Sequence, residues 1–150
     1  MNASADNVVS PAVAEVNSLV EKGLRALDEF LKLDQEQIDF IVAKASIAAL
    51  DKHGVLAMHA VEETGRGVFE AKATKNLFAC ENVVRRLRDL KTVGVISEND
   101  VTGITEIADP VGVVCGIVPT TNPTSTTIFK SLIALKTRNP IIFSFHPSAQ

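Results

Sequence analysis

The 150-residue sequence has no tryptophan and no tyrosine, and it contains only two cysteines and three histidines. Cys80 and Cys115 lie far apart and outside any zinc-ligand spacing, which argues against a disulfide framework and against a metal site. No apolar run approaches the roughly 20 residues that a membrane-spanning helix needs. The start of the chain, from Met1 to Asp6, has neither the basic nor the apolar region of a signal peptide. The sequence therefore predicts a soluble, cytoplasmic protein with no membrane partner.

Positive charge is scarce as well. The chain has 15 lysines and arginines against 18 aspartates and glutamates, a net charge of −3 and a pI near 5.6. A basic cluster at residues 85–88 is flanked by Glu81 and Asp89, a pattern typical of a solvated helix face. A nucleic-acid partner is therefore not expected. With 46% hydrophobic residues, the chain has enough apolar surface for one globular domain.

Residues 1–90 have the periodicity of helices. Apolar residues recur at steps of three and four from Val13 to Leu31, which places them on one helical face. Asp34 and Gln37 have the spacing of a capping box at the start of a second helix. Gly54 is expected to end that second helix in a left-handed conformation.

Two further helices are expected before residue 91. A short helix extends from Val55 to Thr64 and stops at the turn-forming sequence Gly65-Arg66-Gly67. A longer helix spans about Glu70 to Leu90. Its inward face is expected to carry Phe78, Ala79, Val83 and Leu87.

Strand patterns replace the helical periodicity after residue 91. Thr92–Ile96 and Thr102–Ala108 are rich in β-branched residues and flank the turn formers at 97–100, so they predict an antiparallel hairpin. Val111–Val118 is apolar on both faces, as a buried parallel strand is. Cys115 in this strand and Cys80 in the preceding helix are expected to be buried as small hydrophobic residues.

A polar loop follows that strand, from Pro119 to Ser125, and a helix extends from it to about Lys136. Thr124 or Ser125 is the expected N-cap of this helix. A second apolar strand, Ile141–Phe145, completes a βαβ unit, for which a right-handed crossover is expected.

The loop lies at the carboxyl end of a buried strand, where open α/β sheets bind ligands. Its hydroxyl and amide side chains, together with the N-terminus of the next helix, can donate to an anionic or carbonyl oxygen. Two prolines, Pro119 and Pro123, hold these donors in place, as oxyanion stabilisation requires. The alternative is an ordinary capped turn. Neither the dinucleotide glycine motif nor a P-loop motif is present.

Several stretches of the sequence resemble a known family. The most specific runs from Pro119 to Pro147 and begins Pro-Thr-Thr-Asn-Pro-Thr. Supporting stretches lie at Val61–Gly67, Lys75–Ala79 and Pro110–Ile117. Together they resemble the CoA-acylating aldehyde dehydrogenases, in particular the N-terminal aldehyde dehydrogenase part of the bifunctional aldehyde–alcohol dehydrogenases of fermenting microbes. The resemblance covers nearly the whole chain.

The resemblance implies an α/β fold that is an incomplete aldehyde dehydrogenase fold. It divides the chain into N-terminal helices (1–90), a hairpin of the oligomerisation flap (91–109) and the first βαβ unit of a Rossmann-like NAD-binding domain (110–150). The implied activity is the reversible conversion of acetaldehyde, CoA and NAD to acetyl-CoA and NADH by a homo-oligomer. In the family, a cysteine thiolate attacks the aldehyde, hydride passes to the nicotinamide, and CoA takes the acyl group. The aldehyde chain length and the choice between NAD and NADP stay open.

The resemblance also implies roles for residues of this chain. Asn122 is the candidate amide that helps to bind the developing oxyanion, whereas alignment with the Pro-Trp-Asn of the broader superfamily gives this place to Thr121. Lys130 resembles an interior lysine with a proton-relay or electrostatic role, and the alternative for it is a solvated helix position. Ser144 and His146 compete for a place beside the adenosine ribose, and a structural role is the alternative for the histidine. The cofactor-binding set is Val118, Pro119, Thr120, Thr121, Ser144, His146 and Pro147, and no metal ligand is implied.

The nucleophilic cysteine and the general-base glutamate of the family have no counterpart in these 150 residues. We therefore expect an N-terminal fragment of such an enzyme that is inactive on its own, because the reaction lacks its nucleophile and base. Two other hypotheses are a non-catalytic assembly or regulatory piece that docks on full-length subunits, and a separate nucleotide-binding module.

Overall fold

The computed structural model describes residues 10–149. The segment from Met1 to Asp6, in which the sequence has no signal-peptide pattern, lies outside this range. The fold is an α/β arrangement in which helices come first and a hairpin and a βαβ unit follow, as the sequence predicts. They are α1 (Pro11–Phe30), α2 (Gln35–Thr64), α3 (Phe69–Phe78), α4 (Val84–Leu87), β1 (Gly94–Asn99), β2 (Ile104–Ala108), β3 (Val114–Val118), α5 (Pro123–Lys136) and β4 (Ile141–Phe145). A π-helical segment, Ala79–Val83, joins α3 to α4. Within the described range, no helix combines the length and the apolar character that crossing a membrane requires.

Helix α2 begins at the predicted capping box. The Asp34 carboxylate accepts from the backbone N–H of Gln37, and the Gln37 side chain accepts from the backbone N–H of Asp34. The prediction that Gly54 ends the helix is wrong, because α2 continues for ten more residues to Gly65, whose φ of 62° is left-handed. A glycine inside a helix costs about 1 kcal/mol relative to alanine, and the packing of α2 against α3 and α5 offsets this cost.

The two glycines of α2 predict opposite effects of the same substitution. A Cβ added at Gly54 would meet no atom within 4 Å, so Gly54→Ala is expected to raise the free energy of unfolding by about 0.5–1 kcal/mol. Gly65→Ala is the matched control and is expected to lower it by about 1 kcal/mol, because an alanine is strained at positive φ. Urea unfolding followed by circular dichroism measures both. A destabilising Gly54→Ala would contradict the argument.

The core lies where α2, the π-helical segment and α5 meet. Its buried members are Ile38, Val42, Ala79, Cys80, Ile128 and Leu132. Cys80 is buried as predicted, and burial together with the nearby Glu81 carboxylate raises the pKa of its thiol. The Ser46 hydroxyl of α2 donates to the carbonyl of Cys80 at 2.7 Å, which satisfies a polar group of the π-helical segment inside the core.

The predicted inward position of Phe78 is wrong, since this side chain is 60% exposed. The inward stripe of α3 carries Lys72 and Asn76 instead. Apolar periodicity assigns only apolar residues to the interior, so it does not predict an inward face that contains polar residues.

Strands β1 and β2 form the predicted antiparallel hairpin. The turn is later than predicted, because β1 continues through residues 97–99 and pairs Asn99 with Ile104. The Asn99 carboxamide accepts from the backbone N–H groups of Val101 and Thr102, both at 3.0 Å, and Gly103 closes the turn at a φ of 66°. Asn99 therefore serves as the last strand residue and as the acceptor that organises the turn.

Strands β3 and β4 are parallel neighbours with α5 between them in sequence. β3 begins at Val114 rather than at Val111. The Asn139 side-chain oxygen accepts from the N–H groups of Val111 and Gly112, which holds the preceding residues outside the sheet. The expectation that Cys115 is buried is wrong within the described chain: the cysteine is exposed, and Ile117 is 69% exposed.

A buried ion pair ties α5 to α2. Lys136 is 1% exposed, and its ammonium donates to the Asp39 carboxylate. The carbonyl of Lys136 accepts from the Thr92 hydroxyl at 2.6 Å, and the Gln35 side-chain oxygen accepts from the N–H of Thr92 at 2.7 Å. These bonds fix the chain between the helices and the hairpin.

Candidate functional site

Two predicted segments meet at one edge of the β3–β4 pair. Val118, the last residue of β3, is paired with Phe145 of β4, and the N–H of His146 donates to the carbonyl of Val118 at 3.2 Å. The loop after β3 and the segment after β4 therefore lie side by side at the carboxyl ends of parallel strands. This is the location at which α/β sheets bind ligands.

The N-terminus of α5 faces this edge. Its N-cap is Asn122, so the expectation of Thr124 or Ser125 is wrong, and Pro123 occupies the first helical position. The Asn122 side chain makes no capping hydrogen bond. The first turn of a helix has N–H groups without an intrahelical acceptor, so these donors and the Asn122 carboxamide occupy the same end of α5.

The Asn122 carboxamide has a definite orientation. The ammonium of Lys75, from α3, donates to its Oδ1 at 2.7 Å. Its Nδ2 lies 3.4 Å from the hydroxyl oxygen of Thr121, a long hydrogen bond. The nitrogen is therefore the end of the amide that retains capacity to donate.

Helix α3 holds the rest of the loop. Lys72, which is 5% exposed, donates to the carbonyl of Thr121 at 3.0 Å, and the Thr124 hydroxyl donates to the Oδ1 of Asn76 at 2.8 Å. The Nδ2 of Asn76 donates in turn to the carbonyl of His53. Burial and the neighbouring ammonium of Lys75 lower the pKa of Lys72. These residues were not predicted from the sequence, where their only signal was a polar stripe on a helix expected to face the core.

A groove of about 330 Å³ opens beside Asn122. Its walls come from α3, the π-helical segment and α5. The lining residues are Lys75, Phe78, Ala79, Val83, Asn122, Ser125, Thr126 and Phe129. The groove is apolar on most sides and has amide, hydroxyl and ammonium groups at one end. Thr121 does not line it, so of the two candidate oxyanion donors the structure brings Asn122 to the groove.

Lys130 does not join this cluster. Its ammonium donates to the carbonyl of Ile117 in β3 at 2.6 Å. The side chain is half-buried, ties α5 to the strand and does not line the groove. The proton-relay or electrostatic role implied for Lys130 stays a prediction.

The end of β4 and the segment after it are exposed. Ser144, His146 and Pro147 are all exposed. The Nδ1 of His146 accepts from the N–H of Ser148 at 3.1 Å, so in the neutral imidazole the proton lies on Nε2. His146 therefore offers a donor at the same edge as the loop after β3.

Comparison with known proteins shows what the chain is similar to. No protein-family model matches the chain. It is 75% identical over 139 residues to the aldehyde-alcohol dehydrogenase of Streptococcus pneumoniae serotype 4, a match that covers 93% of the chain and 16% of the relative. The chain thus spans about one sixth of the length of that relative. An acetylating aldehyde dehydrogenase from Geobacillus thermoglucosidasius is 47% identical, with a TM-score of 0.90 over 96% of this chain and 32% of its own.

Two solved structures at lower identity contain ligands. An engineered glycolyl-CoA reductase with bound NADP+ is 30% identical, and a Rhodopseudomonas palustris propionaldehyde dehydrogenase with bound CoA and an acylated cysteine is 31% identical. Each has a TM-score of 0.70 and is matched over 89% of this chain and 30% of its own length.

These comparisons confirm the resemblance read from the sequence. In sequence and in fold, the chain is similar over nearly all of its length to the N-terminal part of acylating aldehyde dehydrogenases. The higher identity is to aldehyde-alcohol dehydrogenases.

Proposed function

We propose that this chain supplies the N-terminal part of an NAD-dependent, CoA-acylating aldehyde dehydrogenase that interconverts acetaldehyde, CoA and NAD with acetyl-CoA and NADH. The observation that carries the proposal is the fixed carboxamide of Asn122, which lines an apolar groove between α3, the π-helical segment and α5. An aldehyde in that groove would place its carbonyl oxygen near amide and backbone donors.

Asn122 contributes by stabilising charge. When a thiolate attacks an aldehyde, the carbonyl oxygen becomes negative, and a donor that is already oriented stabilises that charge without reorganisation. The N–H groups of the first turn of α5 add to this field because they lie at the positive end of the helix dipole. The attacking thiolate and the general base come from outside these 150 residues in the proposed enzyme.

The edge of the sheet fits a nicotinamide dinucleotide. His146 offers its Nε2–H and Ser144 its hydroxyl, groups that suit ribose hydroxyls, and Pro119 and Thr121 are exposed in the loop after the neighbouring strand. When bound, the nicotinamide accepts the hydride of the reaction. The NADP+-bound relative supports a nicotinamide cofactor of this general kind, and NAD is the form that we propose. CoA is proposed as the co-substrate because a relative binds it.

The domain division is part of the proposal. Residues 1–90 would form the helical layer behind the site, 91–109 the hairpin of an oligomerisation flap, and 110–150 the start of the NAD-binding sheet. The hairpin supports this assignment because every residue of β1 is exposed and Ile107 of β2 is 65% exposed, so its surface is available to another chain. Homo-oligomerisation and a cytoplasmic location stay predictions of the sequence.

The proposal predicts that the activity requires more than these 150 residues. The isolated chain is expected to form no NADH from acetaldehyde, CoA and NAD. A chimera, in which these residues replace the 139 matching residues of the Streptococcus pneumoniae relative, is expected to form NADH at a rate similar to that of the relative itself. NADH absorbance measures both, and the unaltered relative is the control.

The outcomes separate the hypotheses. An active isolated chain would contradict the expected inactivity, and an inactive but folded chimera would overturn the proposed function. An inactive chimera whose N-terminal part still assembles with full-length subunits would favour the non-catalytic assembly role.

A further inference from the structure

We infer that Lys75 is a positioning residue: by holding Oδ1 of the Asn122 carboxamide, it leaves Nδ2 as the end of the amide that is free to donate. This inference rests on the proposed function, because it assigns Lys75 a part in orienting the oxyanion donor. Lys75 would act through Asn122 and would not itself touch the reacting atoms.

The chemistry of the two side chains determines the orientation. An ammonium group has three donors and no acceptor. At 2.7 Å from Lys75, the near atom of the Asn122 amide must therefore be the oxygen. The amide nitrogen then faces away from Lys75, and its long contact to Thr121 leaves donor capacity for a developing oxyanion.

Without Lys75, little would hold this orientation. Rotation of an asparagine amide about χ2 is broad and nearly two-fold. Asn122 makes no capping bond with α5, and its other side-chain contact is the long one to Thr121. A flipped amide would present Oδ1 in place of Nδ2 and repel a developing oxyanion.

The surroundings hold Lys75 where this contact needs it. On the same helix, Lys72 bonds the carbonyl of Thr121 and Asn76 accepts from Thr124, so α3 is attached to the loop on both sides of Asn122. Among the residues that line the groove, none has a carboxylate that would draw the ammonium away from the amide.

The test uses three substitutions of Lys75 in the active chimera. Lys75→Met removes the donor and is expected to lower kcat about tenfold, a fraction of the roughly 10²–10³-fold that loss of an oxyanion donor costs. Lys75→Gln retains a donor and is expected to stay within about threefold of the parent. Lys75→Glu has the shape of glutamine but only acceptors when ionised, so it should attract Nδ2, flip the amide and lower kcat about 100-fold. The KM for acetaldehyde should change little in all three.

A double-mutant cycle separates positioning from a structural role. In the Asn122→Ala background, Lys75→Met is expected to have no further effect on kcat, because there is no amide left to orient. Lys52→Met, at an exposed position of α2, is the matched control and should leave kcat unchanged. Thermal melting of each variant reports folding. If Lys75→Met does not fold, the isosteric glutamine and glutamate variants still decide the question.

Three results would overturn the inference: Lys75→Met with the parent kcat, Lys75→Gln as impaired as Lys75→Met, or additive losses in the cycle. The second would assign the effect to the charge of Lys75 rather than to its donor. An inactive chimera overturns the proposed function together with this inference, whereas an active chimera with silent Lys75 variants overturns the inference alone.

Discussion

Replacing Asn122 by alanine in the active chimera is expected to lower kcat for acetaldehyde by roughly 10²–10³-fold, the usual cost of losing one oxyanion donor. The KM for acetaldehyde is expected to change little, because the amide gains its strongest interaction only when the carbonyl oxygen becomes charged. Steady-state NADH formation at saturating CoA and NAD measures the effect. Asn122 makes no helix-capping bond through its side chain, so the substitution should leave α5 intact.

Thr121→Val is the matched variant, since Thr121 is the other residue that the sequence offers for the oxyanion position. Thr121 is exposed and does not line the groove beside Asn122, so its loss is expected to change kcat by less than about threefold. If Thr121→Val lowers kcat strongly and Asn122→Ala leaves it unchanged, Thr121 rather than Asn122 is the oxyanion donor. If neither substitution changes kcat, the loop takes no part in the chemistry.

Replacing Asp39 by alanine is expected to lower the free energy of unfolding by about 2–3 kcal/mol. The substitution leaves the ammonium of Lys136 without its carboxylate at a position that is only 1% exposed. Breaking a fully buried pair costs about 3–5 kcal/mol, and the expected value is lower because the Asp39 side chain is 41% exposed. Urea unfolding of the 150-residue chain, followed by circular dichroism, measures the change.

Lys136→Met is the control for this pair. Methionine keeps most of the volume of the lysine side chain and carries no charge, and the remaining Asp39 carboxylate is partly solvated. The single substitution should therefore cost less than about 1 kcal/mol, and it should recover most of the loss when it is combined with Asp39→Ala. Equal destabilisation by the two single substitutions would show that the pair stabilises the fold by its mutual attraction.

The sequence predicted much of the fold because its signals are local. The capping box at Asp34, the helix end at Gly65 and the β-branched strands each depend on signals within a few residues. The predictions were wrong where contacts between residues distant in sequence determine the local structure. Gly54 stays helical because α2 packs along its length on other helices, and Cys115 is exposed because no described element covers the second face of β3.

The candidate site was likewise predicted only in part. The loop from Pro119 to Ser125 was predicted, since the end of an apolar strand and a run of hydroxyl and amide residues are visible in sequence. The part of α3 that holds this loop was not predicted. Lys72 and Lys75 lie nearly 50 residues before their partners, and a lysine on a helix ordinarily indicates a solvated position.

By itself, the sequence determined the order of elements, the family that the chain resembles and the loop on which an oxyanion donor would lie. These follow from residue spacing and local backbone preference. Only the tertiary structure decided that Asn122 rather than Thr121 faces the groove, and that Lys75 holds its amide by the oxygen. The physical reason is that a side chain's direction and hydrogen-bond partner depend on how α3 packs against the start of α5, which neither segment encodes alone.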